Sequence, residues 1–204
     1  GYGDWIHFYN LAALPGLPFI HYWSEFPPLF PFLSKLLFWL SGGQEHVYAY
    51  LHFFIQSAAD LGSVWLFSRL ARRFDPNSHT WRTLLFSALI AGLAYTWWYF
   101  DSLAVFFCLA ALDLALRNRP SWKTGSLLAL GILTKLFPLL ILPAIWLHSG
   151  TRRTLRISAW MAGLILTVYA ALWIASPAYT LASIRSQAAK GSWETVWALI
   201  DGNT

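Results

Sequence analysis

The chain has 204 residues, of which 57% are hydrophobic, 18% aromatic and only 11% charged. That balance excludes a soluble globular domain of this size and marks an integral membrane protein. The net charge of +5 does not point to nucleic acid, because the basic residues flank apolar runs and form no solvated patch with a binding motif.

The chain opens Gly1-Tyr2-Gly3-Asp4, with neither an initiator methionine nor a basic-then-apolar leader, and is expected to be an excerpt with a segment upstream. Residues 1–46 are predicted to be an extracytoplasmic loop. It carries one short apolar segment at about 27–41, which is about 15 residues or 22 Å as a helix and contains Pro31 and Lys35. That is too short to span, and it reads as a helix lying in the outer interface.

Spans are predicted at about 47–68, 83–100, 102–116, 124–136, 138–148 and 157–175, with 176–204 again outside. Three polar connectors carry most of the basic side chains: Arg69, Arg72, Arg73 and Arg82, then Arg117, Arg119 and Lys123, then Arg152, Arg153 and Arg156. The positive-inside rule makes all three cytoplasmic, which puts the turn at Trp97–Asp101 outside, with Trp97-Trp98-Tyr99 as an aromatic belt. The stretch 124–148 has basic flanks on both sides, so either one cluster lies outside or the chain goes up and back as two short helices. Lys135 and Phe137-Pro138 near its middle favour the broken pair, because proline disfavours helical geometry in the residue before it. The fold class is therefore all-α, a single polytopic membrane helix bundle covering 1–204.

The candidate functional residues lie opposite the arginines. Asp4 is either a helix N-cap ahead of Trp5 or a general base for a substrate hydroxyl. Glu25 precedes Phe26-Pro27-Pro28-Leu29, where a carboxylate also suits a helix dipole. Asp101 at the outer turn is a cap or a second acidic group for a donor or metal. Lys135 can hold a lipid phosphate as a point charge or snorkel to the interface. Arg185 and Lys190, with Trp193 and Trp197 nearby, are read as cations for phosphate beside an aromatic face for sugar, or as a membrane-resting amphipathic helix.

His52, Gln56 and Asp60 share one helix face as a polar seam or a functional site. His7 and His21 beside the two carboxylates are a weak zinc candidate without a His-Glu-x-x-His motif. The single cysteine, Cys108, excludes an intramolecular disulfide and any multi-cysteine metal site. Asp75 and Asp113 sit beside the arginine clusters, on the wrong side for an outer site.

The order of Gly3-Asp4, Tyr22-Trp23-Ser24-Glu25-Phe26-Pro27-Pro28-Leu29, Phe100-Asp101 and Leu133-Thr134-Lys135-Leu136-Phe137-Pro138 on this topology resembles the GT-C superfamily of membrane glycosyltransferases. The likeness is greatest to bacterial polyprenyl-phosphate-mannose-dependent mannosyltransferases, and it covers most of residues 1–148. It implies a GT-C type bundle in the bacterial cytoplasmic membrane with its active face outside. The implied reaction is inverting transfer of a sugar, mannose by the resemblance, from a polyprenyl-phosphate-linked donor to a hydroxyl of a glycan, lipid or protein acceptor. Asp4 would be the base, Lys135 would lie near the donor phosphate, and Glu25, Asp101 and Arg185 would bind substrate. No cofactor is implied, and a divalent metal is left open. The competing expectations are a transporter or lipid flippase, with Asp60 and Lys135 as pathway charges, and a structural membrane subunit.

Overall fold

The computed structural model describes residues 4–92 and 98–189. The described chain is all-α: α1 Asp4–Ala13, α2 Leu29–Leu40, α3 Glu45–Phe74, α4 His79–Gly92, α5 Asp101–Leu116, α6 Ser121–Thr134, α7 Leu142–Ser149, α8 Thr151–Ala175 and α9 Pro177–Ala189. A 3₁₀ turn, Phe137–Ile141, leads into α7, and an isolated bridge between Pro18 and Tyr22 is the only extended pairing among the described residues. Gly1–Gly3, Trp97 of the expected outer turn, Lys190, Trp193 and Trp197 lie outside the described residues.

Thr151–Ala175 is the one helix among the described residues that is both long and apolar enough to cross a membrane by itself. The 30-residue α3 would span about 45 Å at 1.5 Å per residue, but His52, Gln56, Asp60 and its arginines lower its hydropathy.

Two packed layers make up the bundle. α5 is central to the larger one, touching α3, α6 and α7, while α6 packs on α8 and α4 on α3. The core there is small and aliphatic: Ala111, Ala115, Leu128, Ala129, Ile132, Ile145, Ile157 and Met161. Gly125 permits the close approach of α6 to α8, since a Cβ at that position would stand 2.6 Å from the Ile157 carbonyl oxygen. The second layer sets α1 and α2 against the first half of α3. Its core is aromatic, with Phe8, Phe30, Tyr48 and Phe100 buried together and Phe26 and Tyr9 packed on them.

Arg117 and Arg119 sit in the connector between α5 and α6 as expected, but the other basic residues of the three clusters are helical. Arg69, Arg72 and Arg73 belong to α3, which runs past the expected end at Ser68; Arg82 lies in α4, Lys123 in α6, and Arg152, Arg153 and Arg156 in α8. Arginine is a good helix former and its cation complements a helix C-terminus, so α3 continues into its own basic cluster. Pro31 and Lys35 do not interrupt α2 either. Pro31 falls in the first turn, where no intrahelical donor is lost. Lys35, only 4% exposed, donates to the carbonyls of Ala12 (2.8 Å) and Leu14 (2.6 Å) at the end of α1. Burial pushes its pKa below the ordinary lysine value.

Side-chain contacts gather the three basic clusters at one end of the bundle. Asp113 Oδ2 lies 3.2 Å from Arg69 and 3.5 Å from Arg117. Arg153 donates to Asn118 Oδ1 and, at 2.8 Å, to the carbonyl of Arg119. The chain that leaves Arg119 along α6 therefore comes back to the same end by Ser149, with Lys135 at the far turn.

Candidate active site

Lys135 takes its position from a helix that stops. α6 ends at Thr134, Lys135 is extended (φ −158°, ψ 148°), and its amide still donates to Gly131 O at 2.8 Å. Gly131 leaves room for the Pro138 ring of the returning segment, 3.2 Å from where a Cβ would stand. The ammonium meets Asp101 Oδ1 at 2.5 Å and lies 5.4 Å from the centre of the Phe100 ring. Both partners of the pair are nearly half exposed, so solvent screens it and its worth to stability is small. What it fixes is a direction.

Asp101 opens α5, with its carboxylate in the first turn, where the helix dipole favours an anion. Asp4 does the same for α1. Glu25 sits in the stiff segment that leads to Pro27 and Pro28, both buried, and its Oε1 lies 3.2 Å from His7 Nε2, one turn along α1 from Asp4. Phe26 and Phe100, whose ring centroids are 5.2 Å apart edge to face, form the floor between these acids.

Asp4, Glu25, Asp101 and Lys135 all line one cavity of about 450 Å³, together with Phe26, Pro27, Tyr99, Phe100, Leu136, Phe137 and Gln187. The volume is in the range of a small-molecule site, with apolar walls and a few converging polar groups. The four residues come from the start of α1, the loop before α2, the start of α5 and the end of α6.

Arg185 is not among the lining residues. It is exposed on α9, and Gln187, two positions and about 200° further round the helix, faces the cavity in its place. Gln187 lies beside the Tyr169 hydroxyl, and its Nε2 is buried without a hydrogen-bond partner among the described residues. Sequence reasoning missed it, and the only available signal was an uncharged polar residue on a helix rich in small ones. His52 and Gln56 are fully buried and do not line the cavity; the His52 ring lies among Phe8, Phe30 and Tyr48. Asp60 accepts from Ser102, one residue from Asp101. Asp75 and Asp113 pair with arginines at the other end. No group of three His, Cys, Asp or Glu side chains among the described residues is placed to hold a metal ion.

An all-α chain with its basic clusters drawn to one end and an acidic, lysine-bearing cavity at the other is a helical membrane protein with a built site. Glycosyltransferase family 87 matches it over residues 24–197, and the chain belongs to that family, a GT-C-like family of membrane glycosyltransferases. Its reaction accordingly joins a sugar donor to an acceptor in a membrane setting. Glu25, Asp101, Lys135 and Gln187 fall within the matched span, and Asp4 precedes it. No curated protein and no solved structure matches the chain.

Proposed function

We propose that this glycosyltransferase takes its sugar, mannose in the first instance, from a polyprenyl-phosphate donor at the extracytoplasmic face of a bacterial cytoplasmic membrane. Asp4 is the general base. It takes the proton of the acceptor hydroxyl as that oxygen attacks the anomeric carbon from the side opposite the phosphate. The bond from the anomeric carbon to the phosphate oxygen breaks, polyprenyl phosphate departs as an anion, and the anomeric configuration inverts. Because the leaving group is already a stable anion, no general acid is required.

One observation carries the reading: three carboxylates and one lysine, from four separate parts of the chain, line a single cavity. The roles divide by charge. Lys135 supplies a cation for the donor phosphate, and Asp101, its ion-pair partner, holds the ammonium at the rim until phosphate takes over part of that charge. Glu25 and Gln187 offer an acceptor and a donor to sugar hydroxyls. The aromatic floor of Phe26 and Phe100 gives the apolar faces of a pyranose something to pack on. The separation of this cavity from the arginine end supports an outer location by the positive-inside rule.

The test is a transfer assay with full-length protein in liposomes, offered either polyprenyl-phosphate-mannose or a nucleotide-activated mannose in the presence of acceptor glycan. The expected result is transfer from the lipid-linked donor alone, with the new linkage of opposite anomeric configuration. Transfer from the nucleotide sugar alone, or retention of configuration, would overturn the proposal.

A further inference from the structure

At the end of the bundle away from the candidate active site, a second cavity of about 350 Å³ lies between the last turns of α3 and the end of α5. Four guanidinium groups line it, from Arg69, Arg72, Arg73 and Arg117, with Asp113, Ser68 and Trp65. Topology alone asks for basic residues at a cytoplasmic helix end, but it does not ask them to converge on a hollow. Here two of them are fixed. The buried Asp113 carboxylate holds Arg69 at 3.2 Å and Arg117 at 3.5 Å, and the Arg69 guanidinium lies 4.4 Å from the centre of the Trp65 ring. Arg72 and Arg73 are exposed and have no carboxylate partner among the described residues.

The charge balance is strongly positive. Four cations face one anion, and the two helix C-termini that meet there contribute only about half a negative charge each. A planar guanidinium presents paired donors that match phosphate oxygens, and donors already oriented by a buried carboxylate lose little freedom on binding. Trp65, more than half exposed, suits the level of a membrane–water interface, so the cavity opens where headgroups lie.

We infer that this arginine-lined cavity is a phosphate site, separate from the transfer site, that takes the phosphate of an anionic phospholipid headgroup or a free phosphate from solution. Arg69 and Arg117 form its fixed wall, and Arg72 and Arg73 close over the anion.

The experiment uses full-length protein in detergent. Native mass spectrometry counts phosphatidylglycerol and phosphatidylcholine retained per chain from an equimolar mixture, and calorimetry titrates inorganic phosphate into the same preparation. Selective retention of phosphatidylglycerol identifies a lipid source, and saturable binding of inorganic phosphate identifies a soluble one; either result supports the site. The R72Q/R73Q variant should weaken the successful arm by about tenfold, and R72K/R73K, which keeps the charge but not the paired donors, should restore only part of it. R152Q/R156Q, which removes two exposed arginines of the same end outside the cavity, should leave it unchanged. Binding in neither arm, or an equal loss in R152Q/R156Q, would overturn the inference. Because the readout is binding at the arginine end, it is independent of which donor the enzyme uses.

Discussion

The aromatic layer around α1 and α2 and the small-residue layer between α5, α6 and α8 are held together by different physics. In the first, polar side chains reach from one element to another: Ser34 to the Tyr48 hydroxyl at 2.6 Å, Tyr9 to the Gly43 carbonyl at 2.7 Å, Lys35 to the end of α1. In the second the polar links between elements sit at the two ends, Lys135 to Asp101 and Arg153 to Asn118, and along the helices threonines turn back on their own backbone, as Thr134 does to Leu130 O and Thr167 to Gly163 O. Helices in lipid gain nothing from hydrophobic burial against each other, so close approach at Gly125 and the alanines of α5 holds them. Short helices such as α1 and α2 cannot span, and they depend on aromatic burial and cross-links. The cavity lies where the two layers meet, and Phe100 belongs to both its floor and the aromatic core.

Breaking the aromatic layer should have the largest effect. Phe100 stacks on Phe30 at 4.0 Å, and Phe100→Ala is expected to cost about 3–5 kcal/mol of stability and to abolish transfer in whatever protein remains folded. Differential scanning fluorimetry beside a transfer assay separates the two losses. Gly125→Leu strikes the other layer, driving a side chain into Ile157 and Trp160. It should cost about 1–3 kcal/mol, seen as a lower Tm, yet leave turnover per folded molecule unchanged. Gly163→Leu, on α8 with open space at its Cβ, should shift stability by no more than about 0.5 kcal/mol.

Smaller effects sharpen the comparison at the junction itself. Lys135→Gln should reduce kcat/KM for the lipid-linked donor roughly ten- to hundredfold, the loss of a charged hydrogen bond. Its Tm should barely move, because the Asp101 pair is half exposed. Gln187→Leu removes one uncharged donor and should raise KM about two- to tenfold with kcat unchanged.

The helical class, the charge-sorted ends and the family resemblance were readable because hydropathy and arginine placement are encoded locally. Where a helix ends was less readable, since a cluster of arginines lowers hydropathy whether or not the backbone stays helical, and α3 runs on through Arg69, Arg72 and Arg73. Lys35 looked like an interruption because a cation in an apolar helix is costly in isolation. Its compensation is a pair of α1 carbonyls more than twenty residues away in sequence, which no local pattern reports. Arg185 and Gln187 illustrate the same limit on a finer scale: charge drew the eye to one face of α9, and packing turned the other face to the cavity. Asp4, Glu25, Asp101 and Lys135 could each be singled out from local context, but their meeting in one cavity is a product of the tertiary fold.

The most direct measurement of the central claim is the turnover of Asp4→Asn in full-length protein with saturating polyprenyl-phosphate-mannose and acceptor. Asn keeps the size of the side chain and a polar group in the first turn of α1, and removes the capacity to take a proton. Loss of kcat by about 10²–10⁴-fold with Tm and donor binding unchanged is the expected result. Wild-type turnover by a folded Asp4→Asn enzyme would contradict the assignment of Asp4 as the base.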